Sequence, residues 1–212
     1  MSEQSNKDKV YESYDKIVDW YDAHRSRELF EKPYLDAVCD DIRRSSKKIL
    51  DLGCGTGEPI ARHFIEQGFA ITGVDASVKM IELARQRFPE QRFIVDDMRT
   101  LELGETFDAI LAWHSFFHLP PDDQRAMFKV FENHLHVGGV LLFTTGPSEG
   151  EVWSDNGGQN LYHASLSLAE YQYLLALHHF TVLTHKVADP DCGGATVWLV
   201  KYTHKPIHYA DH

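Results

Sequence analysis

The chain has 212 residues, 43% of them hydrophobic and 25% charged, which is typical of a globular protein with one α/β domain. Its formal net charge of −11 at pH 7 disfavours DNA or RNA as a substrate, because a polyanion is bound by a basic surface. Met1–Lys9 lacks an apolar signal core, no apolar run approaches the ~20 residues that span a bilayer, and the three Cys show no paired spacing, so we expect a cytoplasmic protein with reduced thiols, no bound metal and no membrane partner.

The N-terminal section is predicted to be a helical cap over residues 1–45. Apolar and aromatic residues recur at helical spacing in its first part, which predicts a helix over 8–24. A second helix is predicted over 28–43, with Pro33 near its first turn, where proline is tolerated. The residues that set the spacing are Tyr11, Tyr14, Ile17, Val18 and Tyr21.

Strand and helix patterns alternate through residues 46–145. The predicted strands cover 48–52, 70–74, 92–95, 107–112 and 137–145, and the predicted helices cover 58–67, 77–88 and 121–134. This alternation implies a parallel sheet with right-handed crossovers, because a helix carries the chain back between parallel strands. We predict that this section is the cofactor-binding core.

The C-terminal section, 146–212, begins with a segment of different character. Residues 146–158 are polar and rich in glycine, and we predict a long loop there that acts as a lid or binds a ligand. No repeat or low-complexity tract separates the three sections. We therefore expect them to form one domain over residues 1–212.

A helix and two further strands are predicted after this loop. Ser167 and Glu170 form a capping box that opens a helix over 168–178. Two strand-like runs, 180–187 and 196–203, are joined by a segment rich in Asp, Pro and Gly. Such a pair of runs predicts an antiparallel hairpin at the end of the chain.

A glycine-rich loop follows the first predicted strand. The segment Ile49–Pro59 has the sequence ILDLGCGTGEP, with Gly53, Gly55 and Gly57 at alternate positions. Glycine permits φ > 0 and a close approach of a ligand to the main chain, because it has no Cβ. A strand, a glycine loop and a helix at the start of an α/β domain predict a nucleotide-type binding site.

The loop differs from the fingerprint of dinucleotide-binding proteins. That fingerprint is G-x-G-x-x-G, and Glu58 or Ile60 stands where its third glycine belongs. Asp51 and Glu58 flank the loop, and they would repel a pyrophosphate by about 4 kcal/mol per close pair at an effective dielectric of about 20. A positively charged ligand without phosphate suits the loop better, and S-adenosylmethionine has both properties.

The D-x-G-x-G-x-G pattern of Asp51–Gly57 resembles the first motif of class I S-adenosylmethionine-dependent methyltransferases, and the resemblance extends from about Ile49 to Val152. It implies an α/β, doubly wound, mostly parallel seven-stranded sheet with an antiparallel C-terminal hairpin, helices on both faces and an N-terminal helical cap over the ligand cleft. It also implies S-adenosylmethionine as cofactor and methyl transfer to an oxygen or nitrogen nucleophile of a small molecule.

The resemblance assigns cofactor contacts to the ends of the predicted strands. Asp75 ends the second strand about 20 residues after the glycines, where an acidic side chain accepts from the ribose hydroxyls. Asp97 matches the acidic position for the exocyclic amine of adenine, with Met98 on the ring face and Asp96 as the alternative. The predicted cofactor-binding set is Asp51, Gly53, Gly55, Gly57, Asp75, Ala76, Asp97, Met98, Ala112 and Trp113.

The fourth predicted strand leads into residues 112–120, which should face the transferred methyl group. Ala112 is expected to offer its carbonyl to the methionine portion, and Trp113 its ring to the cation. His114 and His118 are the candidate catalytic proton acceptors, because histidine titrates near neutral pH. The alternatives are that each histidine holds a loop through hydrogen bonds, or that alignment alone supplies much of the acceleration.

Aromatic residues outside the core section are candidates for the acceptor pocket. Their enrichment indicates an apolar or planar acceptor, although each could instead pack in the interior. No Asn-Pro-Pro-Tyr-like motif or Pro-Cys nucleophile is present, so the sequence does not resemble enzymes that methylate nucleic acid bases. The predicted substrate residues are Tyr14, Tyr21, Trp153, Tyr162 and His163.

Three alternatives remain open from the sequence. The first is an NAD-dependent oxidoreductase on the same kind of sheet, which differs in its glycine spacing and in the charge around the loop. The second is a non-catalytic module that binds S-adenosylmethionine or scaffolds a partner enzyme. The third is an enzyme that modifies protein or tRNA. The identity of the acceptor and the oligomeric state are open as well, since specificity depends on the cap and the loops.

Overall fold

The structure, a computed structural model, describes residues 6–42 and 46–203. The ends of the predicted cap and of the predicted C-terminal section fall on residues 1–5, 43–45 and 204–212, which lie outside the described residues. No described helix combines the length and the apolar character needed to cross a bilayer.

Helices and strands alternate along the described chain much as the sequence pattern predicts. The helices are α1 (Val10–His24), α2 (Lys32–Ile42), α3 (Ile60–Glu66), α4 (Val78–Arg87), α5 (Pro121–His134) and α6 (Leu168–Leu177). The strands are β1 (Lys48–Leu52), β2 (Ala70–Asp75), β3 (Arg92–Val95), β4 (Phe107–Ala112), β5 (Leu135–Thr145), β6 (Gly150–Asn156), β7 (Gln159–Ser165), β8 (Phe180–Asp189) and β9 (Ala195–Tyr202).

Seven strands form one sheet in the order β3-β2-β1-β4-β5-β9-β8. The pairs among β1 to β5 are parallel, whereas β9 is antiparallel to both β5 and β8. The order reverses between β1 and β4, which is where open α/β sheets form a crevice at the carboxyl ends of their strands. The predicted seven-stranded sheet with an antiparallel C-terminal hairpin is confirmed.

Helices cover both faces of this sheet. One hydrophobic cluster joins the sheet to α5 and α6 through residues such as Phe128 and Tyr171, and a second joins it to α2 and α3 through residues such as Leu35 and Phe64. Alternate side chains of β4 belong to these two clusters, and the strand is buried along its whole length. A central parallel strand has this pattern because both of its faces are covered.

The predicted loop over residues 146–158 was wrong. Residues Gly150–Asn156 form β6, which pairs antiparallel with β7 in a two-stranded hairpin. Gly157 and Gly158 make the connecting turn with φ of 59° and 79°, as a two-residue turn between twisted strands requires. The sequence pattern did not predict this strand because β6 is mostly exposed and therefore polar. The better evidence for a hairpin in the sequence was the pair of adjacent glycines at its turn.

The hairpin packs against α1 and thereby joins the N-terminal cap to the C-terminal section. Val10 of α1 is buried in a small cluster with Leu161, Tyr162 and Ala164 of β7. Trp20 covers the turn so closely that a Cβ on Gly157 would lie 2.6 Å from its ring. The cap and the hairpin therefore form one continuous wall beside the sheet.

Replacing Phe143 by alanine is expected to destabilise the fold severely. Phe143 is fully buried and stacks on Trp198 with ring centroids 5.9 Å apart, so the variant loses this packing and leaves a cavity. We expect the free energy of unfolding to fall by about 3–5 kcal/mol, measured by urea denaturation. Tyr173→Ala, at a side chain 64% exposed, is the control and should change it by less than about 0.5 kcal/mol. Equal losses in the two variants would contradict the assigned core.

Candidate functional site

The glycine loop follows β1 at the carboxyl edge of the sheet. Gly53 has φ of 73°, and a Cβ at this position would lie 2.2 Å from Cβ of Ser115 in the loop after β4. A Cβ on Gly55, with φ of 54°, would meet only Tyr21, at 3.9 Å. Glycine at 53 therefore permits two loops to touch, and glycine at 55 keeps space open beneath α1. The helix predicted to begin at residue 58 begins at Ile60.

The loop is held in place by hydrogen bonds from its own backbone. The N–H groups of Gly53 and Cys54 donate to the carbonyl of Val74 over 2.7 and 3.1 Å. The hydroxyl of Ser115 donates to the carbonyl of Leu52 over 2.7 Å. The ends of β1, β2 and β4 are thus connected to one another at the sheet edge.

A cleft lies between this edge and α1, with about 820 Å³ of space free of protein atoms including its open mouth. The predicted residues that line it are Tyr14, Tyr21, Gly53, Gly55, Asp75, Ala76, Asp97, Met98, Trp113, His114 and His118. The predicted residues that do not line it are Asp51, Gly57, Ala112, Trp153, Tyr162 and His163. The structure therefore brings together most of the predicted cofactor residues and the two candidate catalytic histidines.

Asp75 is fixed at the end of β2 by the glycine loop. The N–H of Gly55 donates to one carboxylate oxygen and the N–H of Ser77 to the other, each over 2.9 Å. Burial raises the pKa of Asp75, while these two hydrogen bonds act to lower it. Each oxygen keeps further acceptor capacity, so Asp75 presents an oriented pair of acceptors to the cleft.

Asp51 lies behind the loop rather than in the cleft. Its side chain is buried, and burial together with the nearby charge of Asp75 raises the pKa of Asp51 to about 7. Asp51 and Asp75 thus lie together at the floor of the site, and no basic side chain contributes to the pKa shift of either carboxylate. A cation in the cleft would relieve their repulsion and favour the ionised form of both.

Asp97 has a strong partner that the sequence analysis did not identify. Arg99 donates from Nε and Nη2 to the two carboxylate oxygens, over 2.6 to 3.0 Å, and also bonds Asp123. Burial acts to raise the pKa of Asp97, but the hydrogen bonds and charge of Arg99 outweigh it and lower the pKa. No motif marks Arg99, because its role depends on Asp123 of α5, which is distant in sequence.

His118 is bonded through both ring nitrogens. Nδ1 lies 2.8 Å from the carbonyl oxygen of Tyr162, and since a carbonyl can only accept, Nδ1 carries the proton. Nε2 lies 2.8 Å from the Tyr14 hydroxyl. Burial, followed by the charge of His163, lowers the pKa of His118 to about 3, so the ring is neutral and Nε2 accepts from Tyr14. These contacts match the alternative in which His118 holds a loop.

His114 is placed differently. Its φ is 50°, a conformation that residues other than glycine adopt at a cost of about 1–3 kcal/mol and that is concentrated at functional sites. Its N–H donates to the hydroxyl of Thr144 over 2.9 Å, while its ring is open to the cleft beside Trp113 and Phe117. The enclosing walls, and then the charge of Arg25, lower the pKa of His114 and keep the imidazole neutral.

The predicted substrate residues divide into two groups. Tyr14 and Tyr21 contact each other edge to face, 5.6 Å between ring centroids, and roof the cleft. Trp153 and Tyr162 pair across the hairpin and pack under α1, where the Tyr162 hydroxyl donates to Glu151. His163 lies behind His118, with ring centroids 4.6 Å apart.

Two carboxylates of α1, which the sequence analysis did not single out, fasten the cap over the cleft. Asp15 accepts from the Ser77 hydroxyl and from the N–H of Lys79 at the start of α4. Asp22 accepts from both terminal nitrogens of Arg87 over 2.7 and 2.6 Å, and this ion pair lowers the pKa of Asp22. Asp15 and Asp22 are two helical turns apart on α1, and this spacing is the signal that the sequence offers for their role. Their bonding partners are distant in sequence.

Comparison with known proteins agrees with this geometry. Residues 49–139, from β1 into β5, match the family described as a methyltransferase domain. This section of the chain is similar to methyltransferase domains. A putative methyltransferase of Geobacillus sp. (strain WCH70) is 31% identical over 145 residues, which are 62% of this chain and 56% of the relative. The chain spans a little over half the length of the curated relatives it matches.

Solved structures of methyltransferases share this fold. An S-adenosylmethionine-dependent methyltransferase from Clostridium acetobutylicum has a TM-score of 0.69 at 18% identity, covering 91% of this chain and all of its own. The Burkholderia thailandensis 1,6-didemethyltoxoflavin-N1-methyltransferase has a TM-score of 0.72 at 22% identity, covering 92% of this chain and 88% of its own. The predicted resemblance to class I methyltransferases is confirmed, and the oxidoreductase alternative has no support from these matches.

Lowering the pH is expected to destabilise the fold through His118. The folded pKa lies below the unfolded value of about 6.5, so the unfolded chain binds a proton that the folded chain does not. Stability is therefore present above about pH 6.5 and falls as the pH drops toward about 3, by up to about 1.4 kcal/mol per unit. Urea denaturation at about pH 7 and pH 5.5 should show a smaller loss for His118→Phe than for the wild type. An identical loss in both would contradict the buried neutral ring.

Proposed function

We propose that the chain is an S-adenosylmethionine-dependent methyltransferase that transfers a methyl group to an oxygen or nitrogen of a small molecule. The observation that carries this proposal is the arrangement of Asp51, Asp75 and the glycine loop at one edge of the cleft. It combines close access to the backbone with buried negative charge. Such a site favours a cationic adenosyl ligand and disfavours a pyrophosphate.

The residues of the cleft fit this cofactor. The space at Gly55 would be filled by a Cβ, and Asp75 offers two oriented acceptors to a ribose, with Ala76 beside it. For the adenine amine we propose Asp97 or Asp96, with Met98 on the ring face. Because Arg99 occupies both oxygens of Asp97, the more exposed carboxylate of Asp96 is the better acceptor of the two.

The methionine portion is assigned to the end of β4. Ala112 would hold it through its backbone carbonyl, and Trp113 would flank the positive charge. Glycine at 57 allows the loop to pack closely against Phe88, since a Cβ there would lie 2.7 Å from the Phe88 ring. Asp51 contributes charge rather than contact, because it is buried outside the cleft lining.

When bound, S-adenosylmethionine supplies an electrophilic methyl group on a positively charged sulfur. The protein contributes orientation of the two reactants, exclusion of water by α1, and negative charge near the sulfonium. His114 is the proposed proton acceptor, because its ring faces the cleft, stays neutral and, within the described chain, has no hydrogen-bond partner on either nitrogen. His118 is proposed to position its neighbours instead, since both of its nitrogens are engaged.

The acceptor is proposed to be a small molecule bound under α1. Tyr14 and Tyr21 provide ring surface in the cleft, and Phe117 packs against His114, which supports an apolar or planar acceptor. The Burkholderia neighbour is described with bound 1,6-didemethyltoxoflavin and S-adenosylhomocysteine, which supports an acceptor of that size. The three cysteines are buried and form no disulfide within the described residues, which supports a cytoplasmic location.

Asp75→Ala is expected to weaken binding of S-adenosylhomocysteine about 100-fold. The variant removes two hydrogen bonds to a charged acceptor, each contributing about 1.5 kcal/mol. Isothermal titration of the wild type and of the variant measures this, with Glu90→Ala at an exposed position as the control and NAD as the comparison ligand. Binding of NAD but not of S-adenosylhomocysteine to the wild type would contradict the proposed function, as would an unchanged affinity in Asp75→Ala.

Gly53→Ala and Gly68→Ala form a matched pair that tests the loop. Both glycines have positive φ, 73° and 81°, so alanine is strained at either position. A Cβ on Gly53 collides with Ser115 at the cleft, whereas a Cβ on Gly68 meets nothing within 4 Å. We expect Gly53→Ala to lose at least about tenfold in affinity for S-adenosylhomocysteine, and Gly68→Ala to lose stability but not affinity. Equal affinities would show that the loop does not hold the ligand.

A further inference from the structure

A chain of hydrogen bonds connects the hairpin to α1 beside the cleft. It runs from the Tyr162 carbonyl through the His118 ring to the Tyr14 hydroxyl, with 2.8 Å for each of its two bonds. The three residues belong to β7, to the loop after β4 and to α1, and Tyr14 and His118 line the cleft.

The Tyr162 carbonyl, at one end of this series of hydrogen bonds, determines the direction of both bonds. The Tyr162 carbonyl has no proton to give, so Nδ1–H of His118 donates to it. The neutral ring then has a bare Nε2, and this nitrogen accepts the proton of the Tyr14 hydroxyl. Burial raises the pKa of Tyr14 far above its ordinary value, so the phenol keeps its proton throughout the working pH range.

The Tyr14 oxygen is therefore left with lone pairs alone toward the cleft. It lines the cleft, and within residues 6–42 and 46–203 its one hydrogen bond is the bond to His118. Any further hydrogen bond to this oxygen must come from a donor on a ligand. A ligand group that can only accept, such as a carbonyl or an ether, finds no proton there.

The position of Tyr14 connects this oxygen to the transfer region. Its ring touches Tyr21, which lies over Gly55, and its hydroxyl touches His118 in the loop after β4. The oxygen thus lies between the glycine loop and the strand end to which methyl transfer is assigned.

We propose that Tyr14 selects the acceptor by accepting a hydrogen bond from its nucleophilic group, so that the substrate is an amine or a hydroxyl compound that still carries an N–H or O–H. His118 is the positioning residue that points the Tyr14 proton away from the cleft. This inference rests on the proposed function and makes it more specific, because carbon nucleophiles, thioethers and tertiary amines have no such proton to offer.

The affinity for sinefungin relative to S-adenosylhomocysteine tests this proposal without a known acceptor. Sinefungin carries an amine in place of the sulfonium methyl and so places N–H donors in the transfer region. We expect the wild type to bind sinefungin about tenfold more tightly than S-adenosylhomocysteine. Tyr14→Phe should lose most of this preference while keeping its affinity for S-adenosylhomocysteine. His118→Phe should lose part of the preference, because the freed Tyr14 proton can then turn into the cleft. Tyr173→Phe, at an exposed hydroxyl, should keep it.

The outcomes separate the inference from the proposed function. If the wild type binds neither compound, the proposed function fails. If it binds S-adenosylhomocysteine but Tyr14→Phe retains the full preference for sinefungin, or the wild type has no preference, the role of Tyr14 is overturned. A full preference in His118→Phe overturns the role of His118. Long-range ¹H–¹⁵N correlation of the wild-type histidines needs no variant, and finding His118 protonated on Nε2 would also overturn the proposal.

Discussion

The site depends on the contact between the loop after β1 and the loop after β4. Gly53 and Ser115 approach so closely that a single Cβ on the glycine would lie 2.2 Å from the serine side chain. This contact joins the two strands at which the order of the sheet reverses, and the Ser115 hydroxyl secures it by bonding the carbonyl of Leu52. The loop between them can then bend around a ligand instead of filling the crevice. Without glycine at 53 the strand ends would have to separate.

Charge around this contact is distributed unevenly, and the distribution matters more than the net charge of −11. Two carboxylates, Asp51 and Asp75, lie together at the floor, where burial raises the pKa of both. The histidines on the opposite side, His114 and His118, have lowered pKa values and stay neutral. The cleft therefore combines buried carboxylates at its floor with neutral imidazoles, an arrangement suited to a cationic donor.

The cap and the hairpin complete the enclosure by polar contacts rather than by a large apolar interface. α1 is fastened to α4 through Asp15 and Asp22, and to the loop after β4 through Tyr14. The hairpin supports α1 from outside and supplies the carbonyl that orients His118. The Asp22–Arg87 ion pair is half-buried, and an ion pair of this kind contributes little stability.

The alternation of apolar segments determined the sheet, because only buried parallel strands have continuous apolar runs and only glycine tolerates the backbone of the loop after β1. For the same reason Gly53, Gly55 and Asp75 could be assigned from the sequence. The tertiary structure decided what depends on residues that are far apart in the chain. It turned residues 150–156 into an exposed strand that the pattern concealed, and it paired Arg99 with Asp123 of α5. In the tertiary structure both ring nitrogens of His118 form hydrogen bonds, whereas the His114 ring stays open to the cleft. Local sequence encodes backbone preference and burial, whereas the partner of a polar side chain is set by the packing of distant segments.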